Sequence, residues 1–317
     1  MKVLVTGGAG FVGSTIVDHY VAAGYDVTVV DNMCKGGGGR PINVNKRAHF
    51  YQADITDTAC IAHIFDEVRP QIVNHQAAQS SVAVSTRNAL LDAQVNILGL
   101  LNILTNCVRV GVDKIVFASS GTVFGTPHIV PVDEQQPLHP ESPYGITKMA
   151  GESYIRYWHK AYGLSYTILR YSNTYGPRQN PNGDAGVIAT FTKRFLVHEP
   201  VCFAGNGEQR KDYVYVGDIA RANILALDRG DNDVFCIATG RATSVKEIYQ
   251  TLVKIIGYEV EIVYAPKRIG DIPFAYFNPT KAERILGWKA NVSLEEGIRT
   301  TVDFFRQTMS HYEASLK

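Results

Sequence analysis

Short, continuous apolar runs alternate along the chain with longer segments whose apolar positions recur every three or four residues. Residues 2–6, Lys-Val-Leu-Val-Thr, read as a buried strand, residues 14–23 as a helix closed by Gly24, and residues 27–30 as a second strand. The alternation continues, with strands expected at 71–74, 114–118 and 165–171 and helices at 89–110 and 143–162. Repeated strand–helix–strand units predict an α/β fold built on a doubly wound parallel sheet, followed by a smaller C-terminal α/β region. After Asn173 the pattern loosens into a turn-rich stretch, residues 175–183, of the kind that carries binding groups. Neither repeats nor a long linker interrupt the chain, so the second region is expected to pack on the first. The expected division is 1–172 with a returning segment near 212–240, against 173–211 and 241–317.

Glycines fall where this pattern needs them. Gly7-Gly8-Ala9-Gly10-Phe11-Val12-Gly13 joins the first strand to the first helix. Such a turn lets the backbone approach a pyrophosphate, and the helix N-terminus favours its charge. Asp31 ends the second strand, where its carboxylate can accept hydrogen bonds from the adenosine ribose of NAD and would repel the 2′-phosphate of NADP. NAD is therefore the expected cofactor, with Lys35 and Arg40 the nearby cations able to soften that repulsion, beside a run of four glycines at 36–39. Further on, Tyr144 and Lys148 stand four residues apart on one helical face, downstream of Ser119-Ser120. A phenol beside an ammonium and a nicotinamide suits transfer of a proton and a hydride, because positive charge favours the phenolate.

Composition narrows the partners. The 31 Lys+Arg against 30 Asp+Glu among 317 residues point to neither nucleic acid nor an anionic membrane, while leaving local cations for a phosphorylated substrate. Met1-Lys2-Val3 runs directly into a strand, so no secretory signal is expected. The apolar stretch 95–104 is interrupted by Asn96 and Asn102 and reads as too short for a bilayer. Five scattered cysteines without CxxC spacing predict reduced thiols and a cytoplasmic location.

Taken together, the ordered motifs resemble a known family across nearly the whole chain. They are the glycine turn, Asp54-Ile55, residues 74–79 (Asn-His-Gln-Ala-Ala-Gln), Asn96, Ser119-Ser120, the Tyr/Lys pair, residues 169–178, residues 205–209, residues 213–216, Arg268-Ile269-Gly270-Asp271 and Lys281-Ala282. The chain resembles the extended short-chain dehydrogenases/reductases, and among them the UDP-glucose 4-epimerase family. The resemblance implies a Rossmann domain whose NAD contacts are Gly7, Gly10, Phe11, Val12, Gly13, Asp31, Asn32, Asp54, Ile55, Gln76, Ala77, Ala78, Asn96 and Lys148. It implies Tyr144 as the base, Lys148 as its partner, Ser120 as proton relay and Thr122 as a helper, acting through a 4-keto sugar. Substrate contacts would come from Ser120, Tyr144, Asn173, Val187, Gln209, Lys211, Arg268, Asp271 and Ala275, with no metal. A homodimer through helices 89–110 and 143–162 is implied as well. His75 and Gln76 follow a strand, where a hydrogen-bonded structural role stands beside a catalytic one.

Three departures sharpen this reading. Related dehydratases carry an acid just after the Ser/Thr pair, whereas Gly121 and Thr122 stand here, which disfavours dehydration. Where the family has Thr-Arg-Asp, this chain has Arg210-Lys211-Asp212, leaving either cation to meet a phosphate. Ala275, seven residues past Arg268, stands where some members of the family hold a bulky Tyr against the sugar C2 substituent, so UDP-N-acetylhexosamines are expected to fit unless surrounding loops fill the gap. The alternatives are a UDP-glucuronate 4-epimerase, another NDP-sugar epimerase or reductase, and a non-catalytic dinucleotide-sensing protein, against which the complete Ser, Tyr and Lys set stands.

Overall fold

The computed structural model describes residues 1–34, 38–182, 186–266 and 274–314, with side chains through residue 308. Its strands in chain order are β1 (Lys2–Thr6), β2 (Asp26–Asp31), β3 (His49–Gln52), β4 (Ile72–His75), β5 (Lys114–Ser120), β6 (Ser165–Tyr171), β7 (Asn173–Tyr175), β8 (Val201–Ala204), β9 (Arg210–Lys211), β10 (Tyr213–Tyr215), β11 (Asp233–Ile237), β12 (Thr243–Ser244), β13 (Ile262–Ala265) and β14 (Phe274–Ala275). Seven of them form one sheet in the order β11-β6-β5-β4-β1-β2-β3, and every pair is parallel. Chain direction across the sheet reverses between β1 and β4, so a crevice opens there at the C-terminal strand ends. Thr6, Asp31, His75, Ser120 and Tyr171 all terminate strands on that edge.

Burial on both faces explains why these strands are continuous apolar runs. Val3 and Val5 enter one core cluster with Ile16, Tyr20 and Phe235, while Leu4 between them enters another with Phe65, Leu104 and Phe117. A third cluster, around Phe195, Phe203, Ile248, Leu252 and Ile298, makes the smaller C-terminal lobe. Ala282, Leu286 and Trp288 fall within the span expected for that lobe but pack instead into the cluster of β1 and β2. Trp288 also donates its indole N–H to the Asp218 carbonyl at 2.8 Å.

Local signals set the helices that carry the site. The first helix spans Phe11–Ala22, three residues earlier than its apolar pattern suggests, because the extended Gly10 starts it directly from the turn. Pro143–Tyr162 begins at Ser142, whose hydroxyl accepts the Gly145 N–H, and ends at Gly163 in the left-handed conformation. Ala89–Val110 runs as helix, then a π turn at Gln94–Gly99, then helix again. At 22 residues with mean hydropathy 1.2 it is long and apolar enough to cross a membrane, which corrects the shorter stretch expected from sequence. Its inner side is nonetheless packed in the fold: Leu100, Ile103, Leu104 and Cys107 are core residues, and Asn102 donates to the Ile55 carbonyl at 2.8 Å.

Candidate active site

The turn after β1 is a backbone cradle. Gly7 adopts φ +68°, and a Cβ there would lie 2.7 Å from the Ala77 nitrogen. A Cβ on Gly13 would collide with the Gly7 carbonyl oxygen, so only glycine lets the helix start this close to the strand. No side chain caps the helix at Gly10, which leaves its first N–H groups, at Phe11, Val12 and Gly13, to the crevice. Asp31 is nearly buried at the end of β2, where its carboxylate accepts the Ala9 N–H at 3.1 Å and the Met33 N–H at 2.9 Å. Each oxygen keeps a further lone pair for a ribose hydroxyl. Asn32 donates to Asp54 at 2.8 Å, joining the ends of β2 and β3. A glycine-lined cradle followed by a fixed carboxylate fits a dinucleotide.

Individual cofactor residues differ in what they offer. The Ile55 side chain is core, packed against Gly99, and its carbonyl accepts from Asn102 at 2.8 Å. Ala77 donates its N–H to the Thr6 hydroxyl at 3.2 Å, and Ala78 follows it, half-buried, along the β4 loop. Gln76 turns its amide to Asn74 (2.6 Å) and the Tyr171 hydroxyl (3.2 Å), within a buried network that includes Tyr20 and Asn223. Asn96 is no surface amide: it is buried, bonded to the Gln79 N–H (2.9 Å), the Gln79 carbonyl (3.0 Å) and Thr147 (3.1 Å). Asp92, wholly buried beside it, accepts from Thr147 at 2.7 Å and Gln79 at 2.7 Å. This network ties the π turn to the helix bearing Tyr144 and Lys148. His75 is also structural, since its ring bonds Thr6 at 2.8 Å and burial, with Lys148 nearby, pushes its pKa down to about 3, keeping it neutral.

The chemistry-bearing side chains meet at the end of β5. Lys148 donates to the Ala118 carbonyl at 2.8 Å, and its ammonium lies 5.7 Å from the centre of the Tyr144 ring. Burial pushes its pKa down to about 8, opposed by Asp92. Burial pushes the Tyr144 phenol up to about 12, opposed by a hydrogen bond from Ser120 and reinforced by Asp92. The protein's own groups thus favour the neutral phenol, contrary to the simple expectation that the neighbouring ammonium lowers it. Ser120 accepts from the Thr122 N–H at 3.2 Å and the Thr122 hydroxyl at 3.0 Å, so its own proton is free to point to Tyr144. Behind them a buried fork, Arg170 to Glu152 at 2.7 and 2.8 Å, also receives Ser119 at 2.6 Å and locks β5 to the helix.

A cleft of about 520 Å³, open to solvent, adjoins these groups. Its walls bring together the expected Ser120, Thr122, Asn173, Lys211 and Ala275 with Tyr171, Ser172, Phe124 and Phe277, which sequence reasoning did not single out. Lys211 pairs with Ala275 across β9 and β14, whereas Arg210 is held by Glu247 at 3.0 Å and the Ala242 carbonyl at 3.3 Å. Of the two candidate cations, the one on the cleft is Lys211. Val187, at the start of the helix Val187–Leu196, and Gln209, just before β9, are half-buried and not among the cleft's lining residues. Arg268, Asp271 and Lys35 lie outside the described residues. Gly121 is covered by the Phe277 ring, which a Cβ would strike, so the position where related dehydratases carry an acid has no room for one. Among the described residues no group of three or more His, Cys, Asp or Glu is placed to hold a metal ion.

Comparison with known proteins agrees along the whole length. The profile of the GDP-mannose 4,6 dehydratase family matches residues 4–301. A protein of Methanocaldococcus jannaschii described as a putative UDP-glucose 4-epimerase is 44% identical over 96% of this chain and 98% of its own. The crystal structure of UDP-glucose 4-epimerase from Thermotoga maritima with UDP-glucose superposes with a TM-score of 0.95 at 48% identity, covering 98% of this chain and 100% of that one. The Thermus thermophilus UDP-glucose 4-epimerase complex with NAD gives 0.91 at 42% identity, over 96% and 99%.

Proposed function

The chain belongs to the GDP-mannose 4,6-dehydratase family of extended short-chain dehydrogenases/reductases, and from that premise we propose that it is an NAD-dependent 4-epimerase of UDP-sugars. The observation that carries this reading is the Thr122–Ser120–Tyr144 hydrogen-bond chain with Lys148 beside it, at the mouth of a cleft with no acid at position 121. NAD, when bound along the glycine cradle, supplies a hydride acceptor and a positive charge at the nicotinamide. Tyr144 takes the proton from the sugar O4 as C4 is oxidised. Ser120 donates to the phenolate before the transfer and to the sugar oxygen as Tyr144 takes up the proton, with its orientation fixed by the two Thr122 donors. Lys148 holds a positive charge near the phenolate and presents its remaining N–H groups to the nicotinamide ribose. After the keto sugar has turned over, the hydride would come back to C4 on its other face as Tyr144 returns the proton to O4, which completes inversion at C4.

Retention of the keto sugar falls to the nucleotide end. Asn173, Val187, Gln209, Lys211, Arg268 and Asp271 are assigned to the uridine diphosphate, whose binding energy anchors the substrate while the sugar ring turns. Lys211 serves as the phosphate cation of the cleft. Ala275, small and on the cleft wall, leaves space for an N-acetyl group, so UDP-GlcNAc and UDP-GalNAc are substrates beside UDP-glucose and UDP-galactose. Residues 1–172 with 212–240 form the cofactor unit, and 173–211 with 241–317, apart from the 282–288 segment, the sugar-nucleotide unit.

The assembly is assigned as a homodimer. Leu90, Leu98, Ile146, Tyr157 and Tyr162 are half or more exposed and lie on the helices Ala89–Val110 and Pro143–Tyr162, an apolar surface that a second copy would cover. A cytoplasmic location fits the five cysteines, all free. The purified chain, incubated separately with UDP-glucose, UDP-galactose, UDP-GlcNAc and UDP-glucuronate, is expected to interconvert the C4 epimers of the first three. Failure to epimerise any of them would remove the proposal, and turnover of the uronate alone would replace it with the uronate reading.

A further inference from the structure

Asp212 has no exposed surface and does not line the cleft, yet the substrate wall hangs from it. One carboxylate oxygen accepts the Thr239 N–H at 2.8 Å, the Thr239 hydroxyl at 2.7 Å and the Ser172 hydroxyl at 3.4 Å. The other accepts the Gly240 N–H at 2.9 Å and faces the Phe277 N–H at 3.5 Å. Its backbone carbonyl accepts both the N–H and the side-chain amide of Asn173 at 3.0 Å, and its own N–H donates to the Ala275 carbonyl at 3.1 Å. Ser172, Asn173, Ala275, Phe277 and its chain neighbour Lys211 all line the cleft.

We propose that Asp212 is the positioning residue that holds the sugar-nucleotide wall in register with the wall of Ser120 and Thr122, beside which Tyr144 stands. The proposal rests on the epimerase reading and deepens it. The main sheet fixes β7 to β5, because β7 continues β6 and β6 pairs with β5 up to Ser120 and Tyr171, whereas β9 and β14 come from distant stretches of chain outside that sheet. A carboxylate suits the junction because it accepts several hydrogen bonds and donates none, so every donor aimed at it is satisfied. Asparagine there would set an amide N–H against the N–H of Gly240 or Thr239. Burial raises the carboxyl's pKa while the hydrogen bonds from Thr239, Phe277 and Gly240 oppose the rise. If the walls shift, the reacting carbon no longer meets Tyr144 and the hydride acceptor in the same geometry on both passes, and the half-finished sugar escapes. Each 4-keto sugar lost leaves its hydride behind, so one cofactor stays reduced per escape.

The test uses the full chain loaded with NAD, as wild type, as Asp212→Asn and as Thr239→Val, which removes one donor and keeps the charge. UDP is titrated by calorimetry, and UDP-galactose turnover is followed together with the absorbance of reduced nicotinamide. Asp212→Asn is expected to weaken UDP binding and raise KM by about tenfold, with kcat changed less, and to build up reduced cofactor during turnover; Thr239→Val shows the same signs to a smaller degree. Unchanged UDP affinity and no build-up in a folded Asp212→Asn protein overturn the proposal. If that variant does not fold, Thr239→Val decides alone, and wild-type behaviour in it overturns the proposal equally. A wild-type chain that binds UDP without epimerising UDP-galactose sinks the functional reading, while the UDP titration still decides Asp212.

Discussion

Replacing Lys148 with Met removes an ammonium 5.7 Å from the centre of the Tyr144 ring while keeping an unbranched, apolar chain in a buried position. Two unit charges about 6 Å apart in a medium of effective dielectric about 20 interact with about 3 kcal/mol. At about 1.4 kcal/mol per pKa unit, losing that interaction raises the phenol pKa by about two units. Tyr144 acts as the phenolate, so below its pKa the active fraction falls tenfold per pH unit. The rising limb of the kcat profile therefore moves up by about two pH units, and turnover at neutral pH drops about 100-fold. Burial pushes the Lys148 ammonium down to about 8. Its charge is present below that value and lost above it, so the gap between variant and wild type should narrow as the pH climbs past 8. The assay is UDP-galactose conversion across that range, with bound NAD quantified after denaturation of each sample. A Lys148→Met protein with full cofactor occupancy and an unmoved limb would refute the electrostatic role.

Four further outcomes follow from named contacts. Tyr144→Phe should keep its fold and cofactor but lose about 10²- to 10⁴-fold in kcat, the usual worth of a positioned base, and near-normal turnover would reassign the proton acceptor. Gly13→Ala drives a methyl into the Gly7 carbonyl and should yield protein that retains no NAD on denaturation analysis; full occupancy contradicts the cradle. Ala275→Tyr should cut UDP-GlcNAc turnover at least about tenfold while altering UDP-glucose turnover far less, because a methylene or more of pocket space discriminates by about 10- to 200-fold. Equal losses on both sugars would mean that Ala275 does not face the C2 substituent. Arg170→Met strands the buried Glu152 carboxylate and should cost about 3–5 kcal/mol in denaturant unfolding, although Arg156 at 3.4 Å and Ser119 soften the loss; a stable variant would show that Glu152 is readily neutralised.

Much of the fold is legible in sequence because doubly wound sheets write themselves as uninterrupted apolar strands. β1 and β6 coincide with the runs at 2–6 and 165–171 for that reason. The glycine turn and the Tyr144/Lys148 spacing are equally legible, since each depends on neighbours within one helical turn or one tight loop. What depends on distant chain is not. Phe277 covers Gly121 across more than 150 residues, and Ser172 and Asp212 become cleft supports only once β7, β10 and β14 converge. The choice between Arg210 and Lys211 turned on which side of a two-residue strand faces Glu247, a register that no local pattern specifies. The structural ties of Asn96 are not legible either, because its partners, Gln79 and Thr147, are fixed only when the loop after β4 meets two helices.

The packing of Trp288 into the core of β1 and β2 sets an order of events during synthesis. When β6 has left the ribosome, β11 has yet to cover its edge and the groove that Leu286 and Trp288 fill is bare. Roughly 115 more residues must follow, which takes about 6 to 23 seconds at about 5–20 residues per second. The nascent cofactor half thus waits with an unpaired strand and an open apolar seam, and nonsense mutations even late in the gene would release products whose first half never closes.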